Sequence, residues 1–397
     1  MFDKIIAWFT ALWIAIISIL VQWGWVPLRW GLLPNEITAG PAVFVGEDEY
    51  QIIWETQQPS IAWVIVGGKT YTDNNAGNLI WDDTMHKVAV PMEALDAARG
   101  YEIHWQHTLR LKDAKSLERG IHKAKEFDFR PIDTSDGIQI YHLSDTHTNM
   151  QPGAQTAQYW GDKLDLLILN GDIIHNPHTA SQRIFALRLA TEITQGRVPV
   201  LFARGNHETR GMEANNLQRS VGGPGGGRWY YTTRIGQIWV AVFDMGEDKL
   251  DDHEEYDGLA DYADYRERES KFFERVIANA STEFNAPGVE YRLLISHIPV
   301  GYNSVFRDAQ ARFAGLANQM DLDLALSGHT HTVNYYPPGA YNGAGVALNY
   351  PLLIASRPAH SYEDGIFIAG AVELKDGGIK GWFTNQSHEI LQEVVVR

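Results

Sequence analysis

The chain has 397 residues, with 33 Lys and Arg set against 49 Asp and Glu for a formal charge of −16, and no cysteine. That length exceeds one ordinary core and suggests two domains, while the acidic balance, unrelieved by any basic run, argues against a nucleic-acid partner. Without cysteine, disulfides, zinc ribbons and thiol catalysis are excluded, and a metal site must draw on His, Asp, Glu or Asn.

The first element is apolar. From Ile5 to Leu28, "IIAWFTALWIAIISILVQWGWVPL" has no charged side chain for about two dozen residues, enough to cross a hydrocarbon core of about 30 Å as a helix. Trp23, Trp25 and Trp30 gather at one end as an interfacial belt would, where a signal peptide would need small residues for cleavage. Residues 1–34 are therefore expected to be an uncleaved membrane anchor, with a cleaved signal peptide as the alternative. Positive charge ahead of the span at Lys4 favours an inside N-terminus and an extracytoplasmic remainder, periplasmic or extracellular.

Residues 35–131 alternate apolar with polar in "YQIIWET", "SIAWVIV", "HKVAV" and "YEIHWQHTLRL", separated by turn clusters such as "VGEDE" and "DNNAGN". Short alternating strands at this spacing predict an all-β sandwich. The segment carries no ligand cluster and reads as a spacer or binding module.

Over 132–397 the pattern becomes apolar strands followed by helical stretches: "IQIYHLS", "LDLLILN", "VPVLFAR", "IWVAVFD", "YRLLISH" and "LDLALSG", with helices expected near 179–196, 262–280 and 308–319. Continuous apolar runs suit strands covered on both faces, hence an α/β layered domain. "GVALNYPLLIAS" and "GIFIAGAVELK" add further strands. "GGPGGG" lacks the Gly-Lys-Ser/Thr ending of a phosphate loop and reads as a plain turn. The acidic stretch 246–270 lacks EF-hand spacing and is expected to be a solvated loop leading into a helix, rimming the crevice and screening substrates by charge.

Each apolar run ends in ligand-type residues: Asp145 and His147, Asp172, Asn206 and His207, His297, and His329 with His331. In open α/β sheets, sites assemble beyond the carboxyl ends of strands, so these residues should converge. Carboxylates and imidazoles crowded in a desolvated crevice are unfavourable unless cations neutralise them. Mixed oxygen and imidazole ligation suits divalent manganese, iron or zinc, and so many groups suit two ions rather than one.

In the order Asp145-Thr146-His147, Gly171-Asp172, Gly205-Asn206-His207-Glu208, His297 and Gly328-His329-Thr330-His331, the chain resembles the calcineurin-like metallophosphoesterase superfamily. The all-β segment ahead of it resembles the fibronectin type III-like domain of purple-acid-phosphatase-like enzymes. The resemblance implies a four-layer α/β/β/α sandwich over 132–397. It also implies a first metal held by Asp145, His147, Asp172 and His331, and a second held by Asp172, Asn206, His297 and His329, with Asp172 bridging. A hydroxide between the metals would then attack phosphorus, and His207 would protonate the leaving oxygen.

Two departures stand out. His175 occupies the position where purple acid phosphatases carry a metal-binding Tyr and protein phosphatases an Asp that orients the catalytic histidine, so no ferric-tyrosinate centre is expected and His175 becomes a substrate or supporting contact. Where purple acid phosphatases carry substrate-binding histidines, this chain has "VGYNSVFRD" with Arg307; Arg204 and Arg210 flank the Asn-His pair, and any of these arginines could grip phosphate. The expected activity is hydrolysis of small phosphorylated substrates, phosphomonoesters first. A phosphodiesterase acting on nucleotides or lipids, and a non-catalytic surface binding protein, are the competing readings.

Overall fold

The computed structural model describes residues 34–397 except 76, 114, 115 and 257, together with Trp8, Leu12, Trp13, Ala15 and Ile16. The expected span Ile5–Leu28 lies, those five residues apart, outside the described residues. Among the described residues no helix is long and apolar enough to cross a membrane.

Two sheets face each other. In the first, strands β7 (Ile138–Leu143), β8 (Leu166–Asn170) and β9 (Pro199–Ala203) run parallel, and in the second, β11 (Ile238–Phe243), β12 (Tyr291–Ser296), β13 (Leu324–Ser327) and β15 (Leu352–Ala355) do the same. Antiparallel β10 (Tyr231–Ile235) and β14 (Val333–Tyr336) close the edges of the second sheet, and β16 (Ile368–Lys375), β17 (Gly378–Asn385) and β18 (Ile390–Val395) extend the first.

Side-chain alternation decides the layering. Along β7 to β9, Ile138, Ile140, Leu166, Ile168, Leu201 and Ala203 point into the core shared with Ile238, Val240, Val242, Leu293 and Ile295 of the facing sheet. Their neighbours Tyr141, Leu143, Leu167, Leu169, Val200 and Phe202 pack outward against helices α1 (Met150–Ala157) and α2 (Phe185–Thr194). On the other side Trp239, Ala241, Phe243 and Leu294 pack against α3 (Tyr262–Ala278) and α4 (Arg307–Ala317). With both faces of each sheet covered, period-two alternation survives as a choice between two apolar cores, which is why these strands read as continuous apolar runs.

The all-β segment is built onto this frame. β1 (Ile37–Val45) pairs in parallel with β9, Val43 opposite Pro199, and β2 (Glu49–Val66) follows antiparallel. Up to Glu55, β2 pairs with β4 (Asp83–Pro91). From Ser60 it pairs with β5 (Gly100–Asp113) and with β3 (Lys69–Thr72), while β6 (Ser116–Asp128) flanks β5. The change of partner falls at a register shift beside Pro59, which has no N–H to donate to a ladder. The expected strands of 35–131 are present, with a short helix at Met92–Ala98 among them that the all-β reading did not foresee, and a fibronectin-like order is not confirmed. Its strands continue the first sheet by hydrogen bonds, and Tyr50, Ile52, Trp54, Ile103 and Trp105 join the core between the sheets.

Candidate metal centre

The parallel strands of both sheets deliver their carboxyl ends to one crevice. Asp145 and His147 follow β7, Asp172 follows β8, Asn206 and His207 follow β9, His297 follows β12, and His329 and His331 follow β13. Asp145, His147 and His331 form one potential ion-holding group, and Asp172, His297 and His329 form another. The shortest atom pairs are His147 Nε2 to His331 Nε2 at 3.2 Å, His331 Nε2 to Asp145 Oδ1 at 3.4 Å, His297 Nε2 to Asp172 Oδ2 at 3.2 Å and His329 Nδ1 to Asn206 Oδ1 at 3.1 Å. Asp172 Oδ2 is also 4.0 Å from His147 Nε2, so one carboxylate faces both groups.

The backbone is strained here. Asp145, His147, Thr148, Asp172, His329 and His331 all have φ between 45 and 68°. L-residues avoid that region, and its occupation in consecutive motifs marks turns held in place for function rather than for stability. Two motif glycines have a separate cause: a Cβ on Gly205 would overlap the backbone N and Oδ1 of Asp172, and one on Gly328 would overlap Ser144 Oγ. Glu208 completes the frame. Fully buried, it accepts N–H bonds from Asp172 and Ile174 at 2.8 Å and from Gly205 at 2.9 Å, stapling two motif turns together. Burial, reinforced by the charge of Asp172, pushes its carboxyl up to about 7.

The hydrogen bonding leaves particular atoms open. Asp145 Oδ2 accepts from the hydroxyls of Ser144 and Ser356 and from His329 N at 3.0 Å, whereas buried Asp145 Oδ1 has no hydrogen-bond partner among the described residues. His297 Nδ1 donates to Asn170 O at 2.8 Å, and its buried Nε2 is likewise without a hydrogen bond. Native proteins rarely leave such atoms unpaired. An unpaired carboxylate oxygen and an unpaired imidazole nitrogen among further His, Asp and Asn donors fit divalent cations.

Protonation carries the same mark. Burial disfavours a charged His297, yet Asp172 and Asp145 outweigh it and push the ring up to about 10. Burial likewise opposes ionisation of Asp172, but His297 holds it down to about 2, and Asp145 is depressed further, His297 again outweighing burial. Burial lowers His147 to about 4, while the Asp145 carboxylate beside it raises His331. The carboxylates of Asp145 and Asp172 thus favour positive charge at the place His297 faces.

His207 sits beside these groups with Nε2 3.9 Å from Asp172 Oδ2. Its Nδ1 faces His175 O at 2.6 Å and Asn176 Oδ1 at 3.2 Å, so the carbonyl fixes a proton on Nδ1 and directs Nε2 into the crevice. That supplies the orienting group that the sequence left open, and Asn176 had no motif to flag it. The His175 ring stacks on His207 with centroids 4.9 Å apart and brings Nδ1 to 3.5 Å from His147 Nδ1. His360, on the loop after β15, was also missed; its ring lies 5.1 Å from that of His147.

The arginines divide. Arg210 Nη1 comes 3.4 Å from His207 Nε2 and is paired with Glu247 at 2.8 Å and Glu255 at 3.5 Å. Arg204 is turned away, paired with Asp244 at 2.7 Å. Arg307 opens α4, exposed, with Nε against Ala344 O at 3.5 Å.

The model of the calcineurin-like phosphoesterase family matches residues 138–333, the stretch that contributes every residue of the two groups. This is a calcineurin-like phosphoesterase domain. The chain is accordingly a hydrolase acting on phosphate esters. Among solved structures, the phosphoesterase chain is similar to the purple acid phosphatase PPD1 from yellow lupin (Lupinus luteus) seeds, at 14% identity and a TM-score of 0.58, over 92% of this chain and 75% of that one. It is also similar to PhoD, at 11% identity and a TM-score of 0.49, over 90% of this chain and 87% of that one. At such identity the first likeness speaks for the fold alone. No protein of curated function matches the sequence significantly.

Proposed function

We propose that the chain is a dinuclear-metal-dependent phosphoesterase that hydrolyses small phosphorylated compounds, phosphomonoesters first, with His207 as general acid. The observation that carries this reading is the single Asp172 carboxylate facing both ligand groups, His147 on one side and His297 on the other. Asp145, His147, Asp172 and His331 would hold one ion and Asp172, Asn206, His297 and His329 the other, manganese, iron or zinc by donor type. When bound, such ions neutralise phosphoryl charge and make a water acidic enough to serve as nucleophile. The remaining work falls to the chain. His207, its Nδ1 proton committed to His175 O, would act in its imidazolium form, giving the Nε2 proton to the leaving oxygen and ending as the neutral Nδ1–H ring. His175 and His360 flank the same space and can contact phosphoryl oxygens.

A phosphodiesterase reading has one observation in its favour. Arg210 is already compensated by Glu247 and Glu255, which suits a singly charged diester better than a doubly charged monoester. Hydrolysis of nitrophenyl phosphate and bis(nitrophenyl) phosphate in parallel, after loading with each metal, decides between them. The proposal expects the monoester to be faster and metal-stripped protein to be inert; hydrolysis of neither ester by loaded protein would refute it.

We further propose that residues 5–28 anchor the protein in a membrane with the catalytic domain outside. β1 runs parallel to β9, so Ile37 lies at the end of the sheet away from the crevice, and the crevice would face away from that bilayer. Release by carbonate washing, or a mature N-terminus beyond residue 28, would refute the anchor.

A further inference from the structure

The acidic segment after β11, expected only to rim the crevice, sends a carboxylate into it. Asp248 Oδ2 lies 3.3 Å from Nε2 of His329, the ring whose Nδ1 faces Asn206 Oδ1 at 3.1 Å. The same turn reaches the other side of the crevice: Glu247 pairs with Arg210 at 2.8 Å, and Arg210 approaches His207. Asp248 is held in place in turn, its backbone N–H bonded to Glu247 Oε1 at 3.0 Å and its carboxylate 3.7 Å from Lys249 Nζ.

Three of the rings in the two ligand groups are backed by different chemistry. Behind His297 is the carbonyl of Asn170 at 2.8 Å, behind His331 the hydroxyl of Ser361 at 3.2 Å, and behind His329 the carboxylate of Asp248. Of these three partners only Asp248 is charged. A hydroxyl can donate or accept and leaves the tautomer of His331 open, whereas a carboxylate accepts only, so a proton belongs on the nitrogen it faces.

We propose that Asp248 is a positioning residue for the second ligand set: it accepts Nε2–H of His329 and fixes the tautomer whose lone pair lies on Nδ1, the nitrogen with which His329 would join Asp172, Asn206 and His297 in holding an ion. The proposal rests on the dinuclear reading above. A carboxylate behind a ligating imidazole makes the ring a stronger donor and holds its orientation, an arrangement whose removal commonly costs about 10–100-fold in metal affinity. The effect belongs to one ion, because the ring of the other group drawn from the same motif, His331, rests on Ser361 instead. It has no counterpart among the five sequence blocks, since Asp248 comes from a loop between two of them.

The test is titration of the metal-free full chain with Mn²⁺, reading free ion by electron paramagnetic resonance, alongside thermal unfolding of the metal-free protein. In Asp248→Ala one equivalent should bind about 10–100-fold more weakly. The other equivalent and the metal-free melting temperature should stay unchanged, and Asp248→Asn, which keeps an acceptor oxygen, should recover part of the loss. Combined with His331→Ala, which disables the first set, Asp248→Ala should still weaken the remaining ion; combined with His297→Ala it should not. Equal weakening of both ions, unchanged affinity, or a fall in metal-free melting accompanied by loss of both ions would overturn the positioning role. A wild-type chain that takes up fewer than two equivalents would instead overturn the dinuclear reading on which it rests.

Discussion

The buried His86–Asp73 pair of the N-terminal strands and the ligand groups of the crevice differ in how completely they are satisfied. In the all-β segment His86 is closed on both nitrogens, Nδ1 to Asp73 Oδ2 at 3.0 Å and Nε2 to Thr56 Oγ1 at 3.1 Å, all on unstrained backbone. In the crevice His297 is just as buried, but among the described residues its Nε2 has no hydrogen bond, nor has Asp145 Oδ1, and the surrounding turns carry positive φ. Residue type is the same in both places. What separates a structural pair from a ligand set is the open valence, together with backbone strain spent on keeping it open.

The sharpest way to break this contrast is Asp172→Asn. If one carboxylate serves both ions, both should be lost together and turnover should fall by at least about 10³-fold, the scale of several kcal/mol of charge stabilisation. Metal analysis and turnover measured on the same preparation check it, and retention of either ion at full strength would remove Asp172 from its bridging role.

His207→Ala should keep both ions and lose about 10²–10⁴-fold on esters with poor leaving groups, the usual size of general-acid catalysis. The loss should shrink on nitrophenyl esters, whose leaving oxygen barely needs a proton. Missing metal, with an equal loss on both kinds of ester, would make His207 a ligand.

A smaller effect follows from the proton on His297. Its ring is raised to about 10 without metal and must be neutral to ligate, so binding below that pH expels a proton. Affinity should therefore rise with pH by up to about tenfold per unit and flatten above about pH 10, whereas Asp172, at about 2, is already ionised and adds nothing near neutrality. Proton release on metal addition in weak buffer measures this directly, and no release in wild type at pH 8 would contradict it.

The smallest effect on chemistry is expected in the closed pair. His86→Ala should leave metal content and turnover per folded molecule unchanged while costing about 3 kcal/mol or more in stability, as breaking a buried pair does. Denaturant unfolding of the all-β segment's variant against wild type reads that cost. A change in turnover without a change in stability would show that the two regions are not separable in the way their hydrogen bonding suggests.

The sequence by itself carried the crevice a long way. Strand ends are local: an apolar run stops where ligand residues and glycine begin, and the five blocks that end these runs include every residue of the two ligand groups. Cover on both faces of these strands was legible for the same reason, since runs apolar on both faces need it, while the four-layer order was implied only by the family resemblance. Only the tertiary structure decided the rest. Loops approach a site from directions set by packing rather than by spacing, so Asn176 behind His207, Asp248 behind His329, Ser361 behind His331 and His360 over His147 had no signal in any block. The join between the all-β segment and the first sheet was hidden too, because a parallel pairing of β1 with β9 links residues 43 and 199. A hydrogen-bond ladder between strands so far apart leaves the local pattern of each unchanged, and only the folded chain shows that they meet.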